Sequence, residues 1–393
     1  MHFGFFHIPH DITKKRSYSE LVGELRELAV LCDEGGMDVF WLGEHHFSIW
    51  GRELSPNPIL LSADVAARTE RIKIGLAAAI ITFWHPLRLA EDLATLDHLT
   101  GGRLIIGVGR GNYGLEATNL NPDADPNNPA QNFAVFDETL QILKKAFTEE
   151  RFSHKGTYYT YPAPGFSADM AHTVDDPAYA DPDSGELVKL TTLPRPRQQP
   201  HPPMWIVVNS PLSIQHAAEN DCGIIMWRQT LKTLRARLEL YRETHIKTHG
   251  GAIRLGARTA IMRDIFVAES EDEARRIAER PMMGALNFSN WRGPYVYLDP
   301  GEVLDPDLDA AQKKELTYDF VRDRSVILGS VDRVVEQLVT LHMETGVEQI
   351  VVRCSWPDLA HEHVVRCIKL MTKEVIPRVK RRIAELESSE AAE

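Results

Sequence analysis

Residues 71–109, RIKIGLAAAIITFWHPLRLAEDLATLDHLTGGRLIIGVG, place an apolar segment, a helical segment and a second apolar segment in succession. The two apolar segments, RIKIGLAAAIITF and RLIIGVG, lack polar alternation, which is typical of strands covered on both faces in a parallel sheet. The segment PLRLAEDLATLDHLT between them has helical periodicity and ends at Gly101 and Gly102. This order predicts a β-α-β unit with two parallel strands.

The same alternation extends in both directions along the chain. Helical segments follow most of the apolar segments, and no internal sequence repeat accompanies the pattern. Eight parallel strands with helices between them describe a (β/α)8 TIM barrel of the α/β class. The predicted strands span residues 2–8, 38–46, 71–83, 103–109, 205–209, 223–227, 258–268 and 349–356.

The chain is longer than a plain barrel. A TIM barrel typically takes about 250 residues, and the surplus falls in two segments without clear periodicity, about 151–202 and 281–325. Long irregular segments in a compact domain are usually lids or binding loops, although solvated linkers have the same composition. We therefore expect a single domain over residues 1–393, with both insertions at the C-terminal face of the barrel.

Composition restricts the class of partner and the compartment. The formal net charge of −12 argues against a nucleic-acid or anionic-membrane partner, because either would need a basic face. The four cysteines form no C-x-x-C pair, which suits a reducing compartment. The basic residues of the N-terminal segment follow its apolar run, the reverse of a signal peptide, and IGLAAAIITFW is too short to span a bilayer. These features predict a cytoplasmic protein that acts on a small molecule.

Residues 109–114, GRGNYG, match the G-x-G-x-x-G pattern of dinucleotide-binding loops. That role needs a helix that begins inside the motif and an acidic residue about 20 positions further on. The next predicted helix starts only at residue 133, and the acidic residues that follow the motif do not follow a strand. The pattern therefore favours a different role, in which Arg110, flanked by two glycines, binds a phosphate group.

Several polar residues follow predicted strands, where the active site of a TIM barrel lies. Adjacent residues of an extended chain point to opposite faces, so we expect one histidine of the pair His45 and His46 to be catalytic and the other structural. The motif H-E-x-x-H is absent and no spacing typical of a metal site occurs, so we predict no metal. The candidates are His7, His10, Glu44, His45, His46, Arg110, Asn209, Ser210, Trp227 and Arg228.

Taken in order, several motifs resemble the bacterial luciferase-like family of flavin-dependent monooxygenases. They are WLGEHH (41–46), GLAAAI (75–80), HPLRLAEDLATLDHLTGGR (85–103), GVGRGNYG (107–114), VVNSPLS (207–213) and GIIMW (223–227), within residues 1–150 and 200–270. The resemblance implies a dimeric TIM barrel that binds FMN. It also implies that a separate flavin reductase supplies the reduced FMN, which with dioxygen oxygenates an apolar substrate (aldehyde, terpene, alkane or aromatic) through a flavin peroxide.

The resemblance also assigns residue roles by position. It makes His45 the catalytic histidine with Glu44 beside it, and it predicts a non-prolyl cis peptide bond between Ala77 and Ala78 beneath the flavin ring. Two departures from bacterial luciferase argue against light emission, since Gly109 replaces a reactive cysteine and Asn209 a glutamate at the phosphate site. The residues implied in cofactor binding are Ala77, Ala78, Arg110, Asn209, Ser210, Ser213 and Trp227.

The chemistry implied by the resemblance requires a pocket that excludes water and a residue that manages protons near the flavin. His45 is the candidate for the proton transfers. We expect an apolar mouth lined by Phe5, Phe47, Phe83, Trp84 and Trp227, and a closing loop that carries Trp291, Tyr295 and Tyr297. Two alternatives stay open at this point: a deazaflavin-dependent hydride-transfer enzyme and a non-catalytic flavin-binding protein.

Overall fold

The computed structural model describes residues 1–167, 178–290, 294–299, 301–303 and 316–390. Its parallel strands close into an eight-stranded barrel in the order β1-β2-β3-β5-β8-β9-β10-β12, and β12 returns to β1. All eight predicted barrel strands are present, so the TIM-barrel prediction is confirmed. The barrel strands are β1 His2–His7, β2 Val39–Leu42, β3 Lys73–Leu76, β5 Leu104–Gly109, β8 Met204–Val207, β9 Gly223–Trp227, β10 Thr259–Ala268 and β12 Gln349–Arg353.

Helices follow most barrel strands, and their ends carry the expected capping residues. Ser17 and Glu20 form a capping box at the start of the first helix, and proline occupies the first turn of the second and third helices. The helices are α1 Tyr18–Glu34, α2 Pro58–Ala66, α3 Pro86–Leu99, α4 Gly114–Leu120, α5 Pro129–Thr148, α6 Pro211–Glu219, α7 Leu231–His249, α8 Glu271–Phe288, α9 Tyr318–Val321, α10 Val331–Thr345, α11 His361–Leu370 and α12 Ile376–Glu390.

The chain divides into two compact units, which are described separately below. The larger unit comprises residues 1–77 and 205–393, and the smaller unit comprises residues 78–204. The single-domain expectation for residues 1–393 stays a prediction. The inserted segment 151–202 belongs to the smaller unit, where β6 His154–Lys155 and β7 Thr160–Tyr161 form a short antiparallel hairpin.

A tryptophan points into the barrel lumen in the larger unit. A Cβ atom added to Gly4 of β1 or Gly75 of β3 would lie 2.7 or 2.2 Å from atoms of Trp41 of β2. The Trp41 ring also contacts Trp205 of β8, with ring centroids 6.2 Å apart. Because β8 is not adjacent to β2 in the sheet, this contact crosses the lumen, and it fixes which face of each strand points inward.

The structure corrects four details of the predicted elements. The predicted strand 71–83 is interrupted, since β3 is followed by the short β4 Ala79–Ile80 and a 3₁₀ turn at Ile81–Phe83. Helix α4 begins at Gly114, at the end of GRGNYG, where we expected no helix. Helix α8 was not predicted and includes residues 281–288 of the second insertion, and strand β11 Val326–Ser330, which pairs with β10, was also missed.

Candidate active site

The end of β2 brings a buried carboxylate against an imidazole. The side chain of Glu44 is fully buried, and its Oε1 lies 2.9 Å from Nε2 of His46. His45 points elsewhere and stays about one fifth exposed, with Nε2 3.9 Å from Oε2 of Glu53. Glu44 therefore pairs with His46, so the expectation that one histidine is structural fits His46. The catalytic role of His45 stays a prediction.

A second buried carboxylate, Asp264, lies in the middle of β10, close to the last residues of β9 and β12. Asp264 is 2% exposed and accepts three hydrogen bonds. Its Oδ2 accepts a hydrogen bond from Nε1 of Trp227 at 3.1 Å. Its Oδ1 accepts one from Nε1 of Trp356 at 2.6 Å and one from Nη1 of Arg353 at 2.9 Å. The Trp227 ring is thus held at a fixed orientation, with the Arg353 guanidinium carbon 4.8 Å and the Arg228 guanidinium carbon 3.7 Å from its centroid.

Sequence reasoning included Trp227 and Arg228 but missed Asp264, Arg353 and Trp356. The available signal was the presence of charged residues inside two otherwise apolar strands, two in MRDIF and one in IVVRC. A charge in a buried strand is rare unless it is paired. What the sequence could not supply is the register, in which Asp264 stands opposite Arg353.

One histidine, His7, ends β1, and a second, His10, follows it. Nδ1 of His7 lies 2.9 Å from Oγ of Ser355, and burial lowers the pKa of His7 to about 3. Nδ1 of His10 accepts a hydrogen bond from the backbone N–H of Glu53 at 2.9 Å. Burial, followed by the nearby Arg353, also lowers the pKa of His10 well below its usual value. Both imidazoles are therefore neutral near pH 7.

Helix α6 follows β8 and begins with a reciprocal serine cap. Oγ of Ser210 accepts from the backbone N–H of Ser213 at 3.2 Å, and Oγ of Ser213 accepts from the backbone N–H of Ser210 at 3.1 Å. Asn209 Oδ1 accepts from Nε2 of Gln229 at 2.6 Å. Asn209 and Ser210 are exposed, so their side chains and the positive end of the helix dipole face solvent, where an anion could approach.

In the smaller unit, Arg110 follows β5 between two glycines. Its carbonyl accepts from Oγ1 of Thr82 at 3.1 Å and Nδ2 of Asn132 at 3.0 Å, and its guanidinium carbon lies 5.6 Å from the Phe133 ring centroid. Gly111 has a positive φ of 75°, and an added Cβ would lie 2.8 Å from Cζ of Phe83. The backbone after Arg110 therefore requires glycine.

The predicted cis bond between Ala77 and Ala78 is wrong. The cis peptide bonds among the residues that the structure describes all precede proline, at Pro162, Pro194 and Pro200. Ala77 donates its backbone N–H to Leu42 O at 2.7 Å, and Ala78 is buried. Proximity of these two residues to a flavin stays a prediction.

The predicted apolar lining is only partly placed as expected. Phe5 is fully buried against Phe40 and lies on the strand face opposite to Gly4, so it belongs to the outer core and not to the mouth. Phe47 is about half exposed. Phe83 and Trp84 of the smaller unit are partly buried. Of the proposed closing loop, Tyr297 is fully buried, whereas Trp291 and the side chain of Tyr295 lie outside the described residues.

A group of metal-ligand type lies at the opposite end of the barrel strands. One ligand atom each from Asp221, His245 and His249 falls within 4.8 Å of the others. The guanidinium of Arg258 donates to Asp221 and so supplies a cation to the same carboxylate. These residues precede β9 and β10, away from the strand ends where TIM-barrel chemistry occurs.

Within the described residues, no helix is long and apolar enough to cross a membrane.

The structure is a closed β/α barrel, and its histidines, two buried carboxylates and serine-capped helix lie towards the C-terminal ends of the strands, where the active sites of TIM-barrel enzymes occur. The chain belongs to the luciferase-like monooxygenase family, whose profile matches residues 1–349. The oxygenase component of the flavin-dependent trigonelline monooxygenase of Acinetobacter baylyi is 26% identical over 341 residues, which cover 86% of this chain and 85% of that protein.

Solved structures show the same fold. The monooxygenase RslO1 from Streptomyces bottropensis superposes with a TM-score of 0.74 at 23% identity, over 96% of this chain and 99% of that chain. The oxygenating constituent of 3,6-diketocamphane monooxygenase from Pseudomonas putida, a type II Baeyer-Villiger monooxygenase in complex with FMN, gives a TM-score of 0.73 at 23% identity, over 96% and 98%.

Proposed function

We propose that this protein is the FMN-dependent oxygenase component of a two-component monooxygenase. The N-terminus of α6 carries the proposal, because the serine hydroxyls of its cap and the exposed side chain of Asn209 lie at the positive end of the helix dipole, which suits a phosphate group. The donor set is small, as a single phosphate needs, and it follows a barrel strand at the face where TIM-barrel enzymes bind phosphates. Bound reduced FMN would supply the electrons that activate dioxygen.

The proposed FMN contacts are assigned unit by unit. In the larger unit, Asn209, Ser210 and Ser213 would bind the phosphate, and Trp227, fixed by Asp264, would lie beside the ring system. In the smaller unit, Arg110 is proposed separately as a phosphate-binding guanidinium, since its backbone is held by Thr82 and Asn132. The backbone of Ala77 and Ala78 would lie beneath the flavin ring.

His45 is the proposed proton-transfer residue. It is exposed enough to reach a ligand, and Glu53 lies 3.9 Å from its Nε2. In this proposal Glu44 holds the His46 side chain in place. Because His45 is adjacent to His46 in the chain, this contact also holds the backbone of His45 in position. Aromatic side chains around the lumen, including Trp227, would exclude water while protons move.

The remaining proposals concern partners and surroundings. The relative from Acinetobacter baylyi is named as an oxygenase component, and we infer that this protein likewise receives reduced FMN from a separate flavin reductase. We further propose a homodimer in the cytoplasm and a substrate with an apolar body, such as an aldehyde, terpene, alkane or aromatic compound. Sedimentation velocity tests the dimer directly.

The FMN proposal is tested by fluorescence titration of the purified protein with FMN and, separately, with a deazaflavin. We expect Arg110→Ala to weaken FMN binding by about tenfold or more, because a charge-assisted hydrogen bond is worth roughly 1.5–3 kcal/mol. The control is Arg88→Ala, which removes an exposed arginine of α3 from the same unit. Unchanged FMN affinity in Arg110→Ala contradicts the assignment, and preference for the deazaflavin contradicts the cofactor.

A further inference from the structure

Tyr297 carries a buried hydroxyl that the contacts of the described chain leave unsatisfied. The residue is fully buried, and no hydrogen-bond partner of its Oη is present. Its ring packs edge-on against Phe320, with centroids 6.5 Å apart, and the Arg228 guanidinium carbon lies 5.9 Å from its centroid. Buried hydroxyls in native structures normally have a partner, so this one points to a ligand atom.

The electrostatic surroundings of this hydroxyl favour an anion. Three cations, Arg228, Arg353 and Arg263, and one carboxylate, Asp264, act on the phenol. Burial raises the pKa of Tyr297 to about 12, so the group is an O–H donor near neutral pH. Asp264 already accepts from Trp227, Trp356 and Arg353, and it makes no hydrogen bond to the Tyr297 hydroxyl.

Arg353 adds N–H donors on the inner side of the barrel. It stands opposite Asp264 in the parallel register of β12 and β10, and Met262, two residues earlier in β10, pairs with Trp227 of β9. Alternation then places Trp227, Asp264 and Arg353 on one face of the sheet. Arg353 donates Nη1 to Asp264, which fixes the guanidinium, and a guanidinium has five N–H donors in all.

We propose that the Tyr297 hydroxyl and the Arg353 guanidinium bind a carboxylate group of the substrate beside Trp227. A carboxylate accepts from an O–H and from guanidinium N–H groups at once, and a single negative charge suits a site whose cations are partly offset by Asp264. The apolar body of the substrate would then lie against the aromatic rings. This inference rests on the proposed function, and it adds an anionic group to the apolar substrate proposed above.

The test compares benzoate with its neutral analogue benzamide by calorimetric titration of the full-length protein. We expect the wild type to bind benzoate more tightly than benzamide. Tyr297→Phe keeps the ring and removes only the hydroxyl, and we expect it to weaken benzoate binding about tenfold while benzamide binding is unchanged. Thermal stability should hold or rise, because the hydroxyl that is lost has no partner in the protein.

Tyr241→Phe is the matched control. Its hydroxyl donates to Cys222 O at 2.8 Å before β9, so its loss should lower thermal stability without changing benzoate affinity. The proposal is overturned if Tyr297→Phe binds benzoate like the wild type, if both probes weaken equally, or if the wild type does not prefer benzoate. FMN affinity, measured on the same samples, reports separately on the proposed function.

Discussion

At the scale of single residues, the two adjacent histidines after β2 should respond differently to substitution. His46→Asn removes the imidazole that lies 2.9 Å from the buried Glu44 carboxylate. The substitution should lower the free energy of unfolding by about 1–3 kcal/mol, because it leaves the buried Glu44 carboxylate without this partner. His45→Asn should leave stability nearly unchanged and reduce oxygen-dependent turnover by roughly 10²-fold or more, the usual contribution of general acid–base catalysis.

Urea unfolding gives the stability of both variants, and oxygen consumption with decanal or camphor as probe, in the presence of a flavin reductase, gives turnover. Arg88→Ala serves as the inert comparison. If His46→Asn lost turnover and kept its stability while His45→Asn did the reverse, the assigned roles of the two histidines would be exchanged.

His7 should make the stability of the protein depend on pH. Its pKa is lowered from 6.5 to about 3 by burial, so the unfolded chain binds a proton below about pH 6.5 while the folded chain does not. The free energy of unfolding should therefore fall as pH drops from 6.5 towards 3, by at most about 1.4 kcal/mol per pH unit from this residue.

Urea unfolding between pH 7 and pH 4.5 measures this slope. His7→Asn should flatten it, whereas His2→Asn, at an exposed histidine of the same strand, should not. His10 contributes in the same direction, so some slope should persist in the single variant. An identical slope in His7→Asn and the wild type would refute the assignment.

At the scale of elements, two glycines should respond to alanine in opposite directions. A Cβ at Gly75 of β3 would lie 2.2 Å from Cε3 of Trp41 in the lumen, so Gly75→Ala should destabilise the protein by about 1–3 kcal/mol. Gly23 lies exposed within α1 with no atom within 4 Å of an added Cβ. Gly23→Ala should stabilise by about 0.5–1 kcal/mol.

Chemical denaturation followed by circular dichroism measures both changes. Equal effects of the two substitutions would mean that Trp41 does not fill the lumen at Gly75.

The barrel strands were predictable because a strand covered on both faces must be apolar throughout, and eight such segments stand out from the chain. Strand β11 was not predicted from the sequence because its five residues are followed directly by helix α10. Helix α8 was not predicted because Pro281 interrupts its helical periodicity. The capping residue Ser270 and three acidic residues in the first turn do mark its start. Helix α4, with the polar sequence GLEATNL, offers no apolar stripe to recognise.

At the scale of the whole molecule, the sequence predicts which residues lie near the strand ends but not which side chains contact one another. Strand order predicts which residues lie towards the C-terminal ends of the strands: His45 and Ser210 follow β2 and β8, and Trp227 is the last residue of β9. Alternation also implies that residues two apart share a face, and Glu44 and His46 do so. The pair Arg353 and Asp264 is separated by 89 positions, and only the register of β12 on β10 brings the two together.

The central claim is that the protein binds reduced FMN and controls its reaction with dioxygen. The most direct test is an anaerobic titration of the purified protein with reduced FMN, followed by mixing with aerated buffer in a stopped-flow spectrophotometer. The account predicts reoxidation slower than that of free FMN, through a phase whose absorbance differs from that of both reduced and oxidised flavin. Absence of binding, or reoxidation at the rate of free FMN without such a phase, would contradict it.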